Sequence, residues 1–344
     1  MKKLLIVLAI LLVAGAGAFA QEASVSGGTS AGFIANFAPA AAAVGSMPQA
    51  EINISGAPSD NTSVSIQLDN SEGYPWDSGV LIDDWRVNSS LLAELGIDAP
   101  VSVDLTFGYF DTYFSNFSTV GTFGHAFWNT TAQGYLYHSG PNEALAWEWN
   151  IGFGDFGLRY WNTWYFGKMA AAFYGSVAGM VSFIAGYAGD YSALDAGTIF
   201  AEASANIDLG MATLYIPAQF ALGLAGTTVG WGSGVKASVM DMVTVAVEVG
   251  GDTANNAAFE YIVPQITATP VDGLEIYADA LVQLPTDAFK AVDIGASYMI
   301  GALKVNSGVV IGIDDTYAYR LRAGGGWRYT VTGTSMYVIF ETSF

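Results

Sequence analysis

Along most of the chain apolar and polar residues alternate one for one, a period of two rather than the wider spacing of an amphipathic helix. In Glu51-Ile52-Asn53-Ile54-Ser55 and in Ser63-Val64-Ser65-Ile66-Gln67-Leu68-Asp69 every second residue is aliphatic and its neighbours are polar. Between them, Ala57-Pro58-Ser59-Asp60-Asn61 has the composition of a tight turn, so the pair predicts a β-hairpin. Segments 101–107, 145–151, 199–207 and 274–280 repeat the pattern. Such segments begin near residues 23, 49, 62, 84, 101, 143, 156, 169, 181, 198, 211, 230, 243, 258, 274, 289, 302 and 334, which predicts roughly 16 to 18 strands. Residues 317–322 also alternate, but counting them makes the number odd, so they read as loop or as an extension of a neighbour.

Alternation fits two architectures, a soluble sandwich with a shared apolar core or a closed barrel whose apolar faces meet lipid. The connections favour the barrel. They are short on one side (96–100, 154–155, 208–210, 240–242, 271–273, 300–301) and longer on the other (36–49, 70–83, 112–142, 190–196, 250–256). Outer-membrane barrels segregate their loops in this way, and a sandwich has no reason to. Aromatic residues at strand ends, among them Trp85, Tyr109, Trp161, Trp231 and Tyr329, suit the interfacial girdles of such a barrel. One stretch resists. Residues 169–189 carry no charge and place Gly175 and Gly179 at helix-pairing spacing, so they read either as a hairpin of two strands or as a transmembrane helix.

Composition narrows the function. The 344 residues are 52% hydrophobic and 12% charged, with 14% aromatics, 41 glycines and no cysteine. That excludes a disordered chain and a disulfide scaffold. Eleven Lys and Arg against 31 Asp and Glu give a net charge of −20, which argues against nucleic acid and against an anionic lipid surface as partners. At the N-terminus Lys2 and Lys3 precede an apolar run and Ala18-Phe19-Ala20, the pattern of a cleaved signal peptide over residues 1–20, leaving 21–344 as an outer-membrane β-barrel.

In the last strand Met336, Val338, Phe340, Thr342 and Phe344 alternate with polar-side residues. A terminal strand of this kind ending in Phe resembles the assembly signal of bacterial outer-membrane β-barrels, carried here by Phe340 and Phe344. Thr342 stands where that signal usually has a large hydrophobic residue. The whole chain resembles the porin-like members of that class. The resemblance implies passive diffusion of small hydrophilic solutes and ions, a homotrimer, an outer-membrane lipid environment and insertion by the barrel-assembly machinery.

Chemistry is sparse. Gly152-Phe153-Gly154-Asp155-Phe156-Gly157 matches a dinucleotide-binding spacing, but Leu158-Arg159-Tyr160-Trp161 follows instead of a helix, so it reads as a hairpin turn. His125 and His138 are the only histidines and no third group orients a nucleophile, so no catalytic residue, metal site or cofactor is assigned. Adjacent carboxylates at Asp83-Asp84 and Asp314-Asp315 offer too few oxygens for a calcium cage. Taking polar strand faces as inward predicts a pore lined by Glu94, Asp104, Glu148, Arg159, Glu202, Glu248, Glu275, Asp279, Asp293, Lys304, Arg320 and Arg322. Glu51, Asp69, Glu341, Arg86 and Lys236 join them, and Phe110, Trp161, Phe200, Tyr215 and Tyr277 face inward by the same parity. Acids outnumber bases on that wall, which predicts a weak preference for cations. Lys290 falls on the apolar parity of its strand. Segment 112–142 is long and aromatic with hardly any charge, and it is expected to fold inward and narrow the channel, the alternative being a lid packed over the outer mouth. The rival reading is a structural or adhesive barrel whose lumen is plugged.

Overall fold

The computed structural model describes residues 22–37, 43–46, 49–69, 81–110, 144–163, 167–226, 228–240, 242–252, 257–283, 288–312, 318–320 and 330–343. In chain order the strands are β1 (Glu22–Asn36), β2 (Ala43–Ser46), β3 (Gln49–Ser59), β4 (Thr62–Asp69), β5 (Leu81–Ser90), β6 (Ser102–Phe110), β7 (Ala144–Phe153) and β8 (Phe156–Thr163). There follow β9 (Lys168–Val177), β10 (Val181–Asp190), β11 (Ala193–Asp208), β12 (Ala212–Gly223), β13 (Thr228–Val239), β14 (Val243–Asp252) and β15 (Ala257–Val271). The last are β16 (Leu274–Gln283), β17 (Ala288–Ile300), β18 (Leu303–Gly312), β19 (Ala318–Arg320), β20 (Thr330–Thr332) and β21 (Ser335–Ser343). A single-turn helix α1 (Leu91–Glu94) joins β5 to β6.

From β3 to β18 each strand pairs antiparallel with the next, and β21 pairs with β18 on one edge and with β1 on the other. The β1–β21 ladder runs from Gly28 opposite Ser343 to Asn36 opposite Ser335, and β1 returns to β3 along its other edge. The result is a closed antiparallel barrel of 18 strands. Short β2 extends the β3 edge onto the far end of β1, and β19 and β20 form a separate ribbon. Closure removes every free edge, the one way a sheet can satisfy its backbone inside a bilayer.

The two-residue period becomes two surfaces. Val245, Ile266, Ile276, Ile294 and Ile311 point outward and are exposed, while Ala246, Gln265, Tyr277, Asp293 and Val310 on the other face are buried. This distribution inverts that of a water-soluble protein and matches a wall wetted by acyl chains.

Residues 169–189 form the β9–β10 hairpin, with Met169 opposite Gly189 and a turn at 178–180, and no described helix is long and apolar enough to cross a membrane. The turn seats Ala178 and Gly179 in the left-handed region, φ 53° and 66°. The dinucleotide-like spacing is the β7–β8 hairpin, turning at Gly154 with φ 65°. The connection expected over 190–196 shrinks to Tyr191-Ser192, because the Asp190 carboxylate accepts the Ser192 amide at 2.8 Å and its hydroxyl at 2.6 Å and holds the turn tight. Lys290 is explained by a bulge: Leu281 faces Ala291 and Val282 faces Phe289, so Lys290 is the extra residue and parity shifts there. Segment 112–142, the signal segment 1–20, both histidines, Asp314, Asp315, Arg322 and Phe344 lie outside the described residues.

Candidate functional site

Two arcs of the inner wall are packed differently. One lies on β15 to β18 and β21. Its cross-strand rows follow from the register: Gln265 faces Asp279, Asp279 faces Asp293, Asp293 faces Val310 and Val310 faces Ser335. One row along, Thr267, Tyr277, Gly295, Gly308 and Tyr337 follow one another in the same order. The two glycines leave the wall bare between the tyrosines. A Cβ on Gly295 would lie 2.4 Å from the Tyr277 hydroxyl, and one on Gly308 would lie 2.3 Å from that of Tyr337, so both phenols rest across β17 and β18. Tyr337 donates to Asp293 Oδ1 at 2.9 Å, and the two hydroxyls are 2.5 Å apart. Because the Tyr337 hydroxyl donates to the carboxyl of Asp293, Tyr277 is the donor within the pair, and the order Tyr277 to Tyr337 to Asp293 is a hydrogen-bond relay spanning β16 to β21. Asp279, Asp293, Tyr277 and Tyr337 are all buried.

The second arc spans β8 to β11. There Trp161, Ala170, Ala172, Ile184, Ala188 and Phe200 form one buried apolar cluster with Tyr174 packed against it. All are inward by register: Trp161 faces Ala170, Ala172 faces Gly186, and Ala188 faces Ala170. Tyr174 reaches over Gly157 to donate to Asn150 Oδ1 at 2.7 Å.

Three ion pairs also lie on the wall. Arg159 bonds Glu148 through Nε at 2.5 Å and a terminal nitrogen at 2.9 Å, a bidentate pair between diagonal neighbours on β7 and β8. Arg86 grips Asp84, two residues earlier on the same face of β5, and stacks 5.5 Å above the Phe110 ring. Lys304 sits 3.8 Å from Glu341 across β18 and β21. Asp104 accepts from Ser90 at 2.7 Å.

Of the residues singled out in the sequence, Asp104, Glu148, Arg159, Glu202, Glu248, Glu275, Asp279, Asp293 and Lys304 lie on the inner face. Phe340 lies on the outer face of β21, opposite Ala31 and Val305. Glu94 is a correction. It belongs to α1 on the short-turn rim, exposed, where it accepts hydrogen bonds from Ser59 and from Thr62 at 2.6 Å. Those hydroxyls, Ser59 first, hold its carboxyl below the usual range. Strand parity had been carried past the point where β5 ends. Arg320 lies on β19, which pairs with β20 and not with the barrel sheet. Asp84 and Tyr337 are not legible as wall residues from the sequence: Asp84 stands next to Asp83, which hides its parity, and the reach of Tyr337 depends on the register of four strands. Among the described residues no group of His, Cys, Asp and Glu could hold a metal ion.

No family model and no curated protein matches the chain. Solved structures do. A mutant of the Rhodopseudomonas blastica porin aligns over 94% of this chain and 100% of its own, with TM-score 0.56 and 16% identity. A triple mutant of the same porin covers equal shares with TM-score 0.54 and 16% identity. An engineered protein studied for asymmetric conductivity also covers 94% of this chain and 100% of its own, with TM-score 0.55 and 17% identity. The chain has the fold of a porin-type β-barrel.

Proposed function

We propose that this chain is an outer-membrane channel through which small hydrophilic solutes and ions diffuse passively, with a weak preference for cations and no covalent chemistry. The observation that carries the reading is the closed barrel with an exposed apolar outside and an inner wall on which carboxylates outnumber bases. Its acidic members Glu148, Glu202, Glu248, Glu275, Asp279 and Asp293 would favour cations, and Arg159 and Lys304 moderate them. On this reading residues 1–20 direct export and are removed, Phe340 and Phe344 present the terminal strand to the assembly machinery, the outer face meets lipid, and three copies associate.

Conductance of the purified protein in a planar bilayer tests it. We expect discrete steps and a reversal potential in a salt gradient that favours cations, shrinking as salt rises. Replacing Glu148, Glu202 and Glu275 together by Gln should reduce the preference. An anion-selective wild type would overturn the cation assignment. Silence in the bilayer would favour the second reading, a structural barrel with a filled interior, which is supported by the near-complete burial of Trp161, Asp293 and Ile339.

A further inference from the structure

The rim that carries the short turns gathers methionine. Met180 lies between β9 and β10, Met211 between β11 and β12, Met240 and Met242 between β13 and β14, and Met299 near the end of β17. These are five of the nine methionines in the chain, and each is 44% to 70% exposed. Three of them sit side by side. The Met240 amide donates to the Met211 carbonyl at 3.0 Å, and the Met242 amide donates to the Val239 carbonyl at 3.0 Å. Val239 in turn faces Ala212 on one edge and Val243 on the other, so two neighbouring turns present Met211, Met240 and Met242 as one group. The Met242 carbonyl also accepts the Thr269 amide at 2.8 Å, which ties the group to the next strand.

Two observations separate this group from ordinary apolar turn residues. The first is backbone conformation. At most other short turns on this rim glycine holds the left-handed position, as in Gly154, Gly210, Gly273 and Gly301; Met240 occupies it with φ 51°, and among the described residues Ala178, φ 53°, is the other non-glycine there. A side chain there carries a steric cost that glycine avoids. The second is residue type. Contact with lipid at this rim is already provided by Leu209, Val271 and Ile300, all exposed, and needs no thioether. What methionine adds is a soft, neutral, polarisable sulfur on a side chain with three rotatable bonds.

We propose that Met211, Met240 and Met242 form a binding site for a soft monovalent cation of the Cu(I) or Ag(I) class. Thioether sulfur selects such ions, while calcium and magnesium demand oxygen. Three flexible side chains on two hydrogen-bonded turns can converge on one ion without moving the barrel, and thioethers need no deprotonation to bind.

Titration of the full-length protein in detergent with silver nitrate, in buffer free of chloride and thiols, tests the site by metal analysis after desalting. One Ag(I) per chain should be retained. The triple variant Met211→Leu, Met240→Leu, Met242→Leu, close to volume-conserving, should lose it with at least a ten-fold fall in affinity, while Met180→Leu with Met299→Leu should keep it. Should the triple variant fail to fold, peroxide footprinting of the wild type decides: Ag(I) should slow sulfoxide formation at Met211, Met240 and Met242 but not at Met180 or Met299. Absence of saturable binding, equal binding by the triple variant, or uniform protection of all five methionines would overturn the proposal.

Discussion

The apolar arc on β8 to β11 and the polar arc on β15 to β18 and β21 share one ladder, one parity and an exposed apolar outer face, yet they fill the inner wall by different means. In the first, Trp161, Ile184 and Phe200 occupy volume beside alanines. In the second, carboxylates, amides and phenols occupy it, and two glycines clear room for the phenols. Alternation determines which side chains face in, while their chemistry determines how each arc resists change. Volume filled by dispersion is lost in proportion to the atoms removed, whereas the loss from a hydrogen-bond relay depends on which hydroxyl goes.

The widest gap between the arcs should appear on truncating Trp161, which is fully buried. Trp161→Ala is expected to destabilise the barrel by about 3–5 kcal/mol, the cost typical of deleting a buried aromatic side chain. Urea unfolding in lipid vesicles, followed by aromatic fluorescence from the remaining tryptophans, measures it. A loss no larger than that of a hydroxyl deletion in the other arc would mean the two arcs are held alike.

The same contrast explains what could be read from the chain. Where inner residues are polar, as Asn53, Ser55, Ser65 and Gln67 are on β3 and β4, they alternate visibly with Ile52, Ile54, Val64 and Ile66, and the hairpin is plain. Where inner residues are apolar, as Ala170, Ala172, Ile184 and Ala188 are, both faces look alike and the period vanishes, so residues 169–189 stayed open between a hairpin and a helix. Parity placed Phe110, Trp161, Phe200, Tyr215 and Tyr277 on the inner face, where the structure has them. It misleads at Glu94, where a helical turn interrupts the strand, and it marks Lys290 as out of step, where a bulge adds a residue. The Tyr337 relay was illegible for a different reason. It joins residues on β16, β17 and β21 whose alignment is set by three intervening ladders, which periodicity within one strand does not encode.

A sharper test of the polar arc is Tyr337→Phe, which keeps the ring over Gly308 and removes only the hydroxyl. Asp293 then loses the Tyr337 donor and Tyr277 the Tyr337 acceptor, so a loss of about 1–3 kcal/mol is expected, the range for removing a hydrogen-bonding group from a buried polar cluster. Urea unfolding in the same vesicles reads it. A change below the scatter of the measurement would show that the tyrosine contact is incidental to the wall.

The smallest effect should come from the other end of the relay. Tyr277→Phe removes the bond between the two hydroxyls but leaves Tyr337 donating to Asp293, so its cost should be about 0.5–1.5 kcal/mol, that of an ordinary hydrogen bond. A double-mutant cycle with Tyr337→Phe separates a relay from two independent bonds. If the hydroxyls act as a chain, removing the Tyr337 hydroxyl already breaks the bond that Tyr277 makes to it, and the second substitution should add less than it costs alone. Full additivity would mean that Tyr277 is held by its other contacts, and that the polar arc responds to change atom by atom, as the apolar arc does.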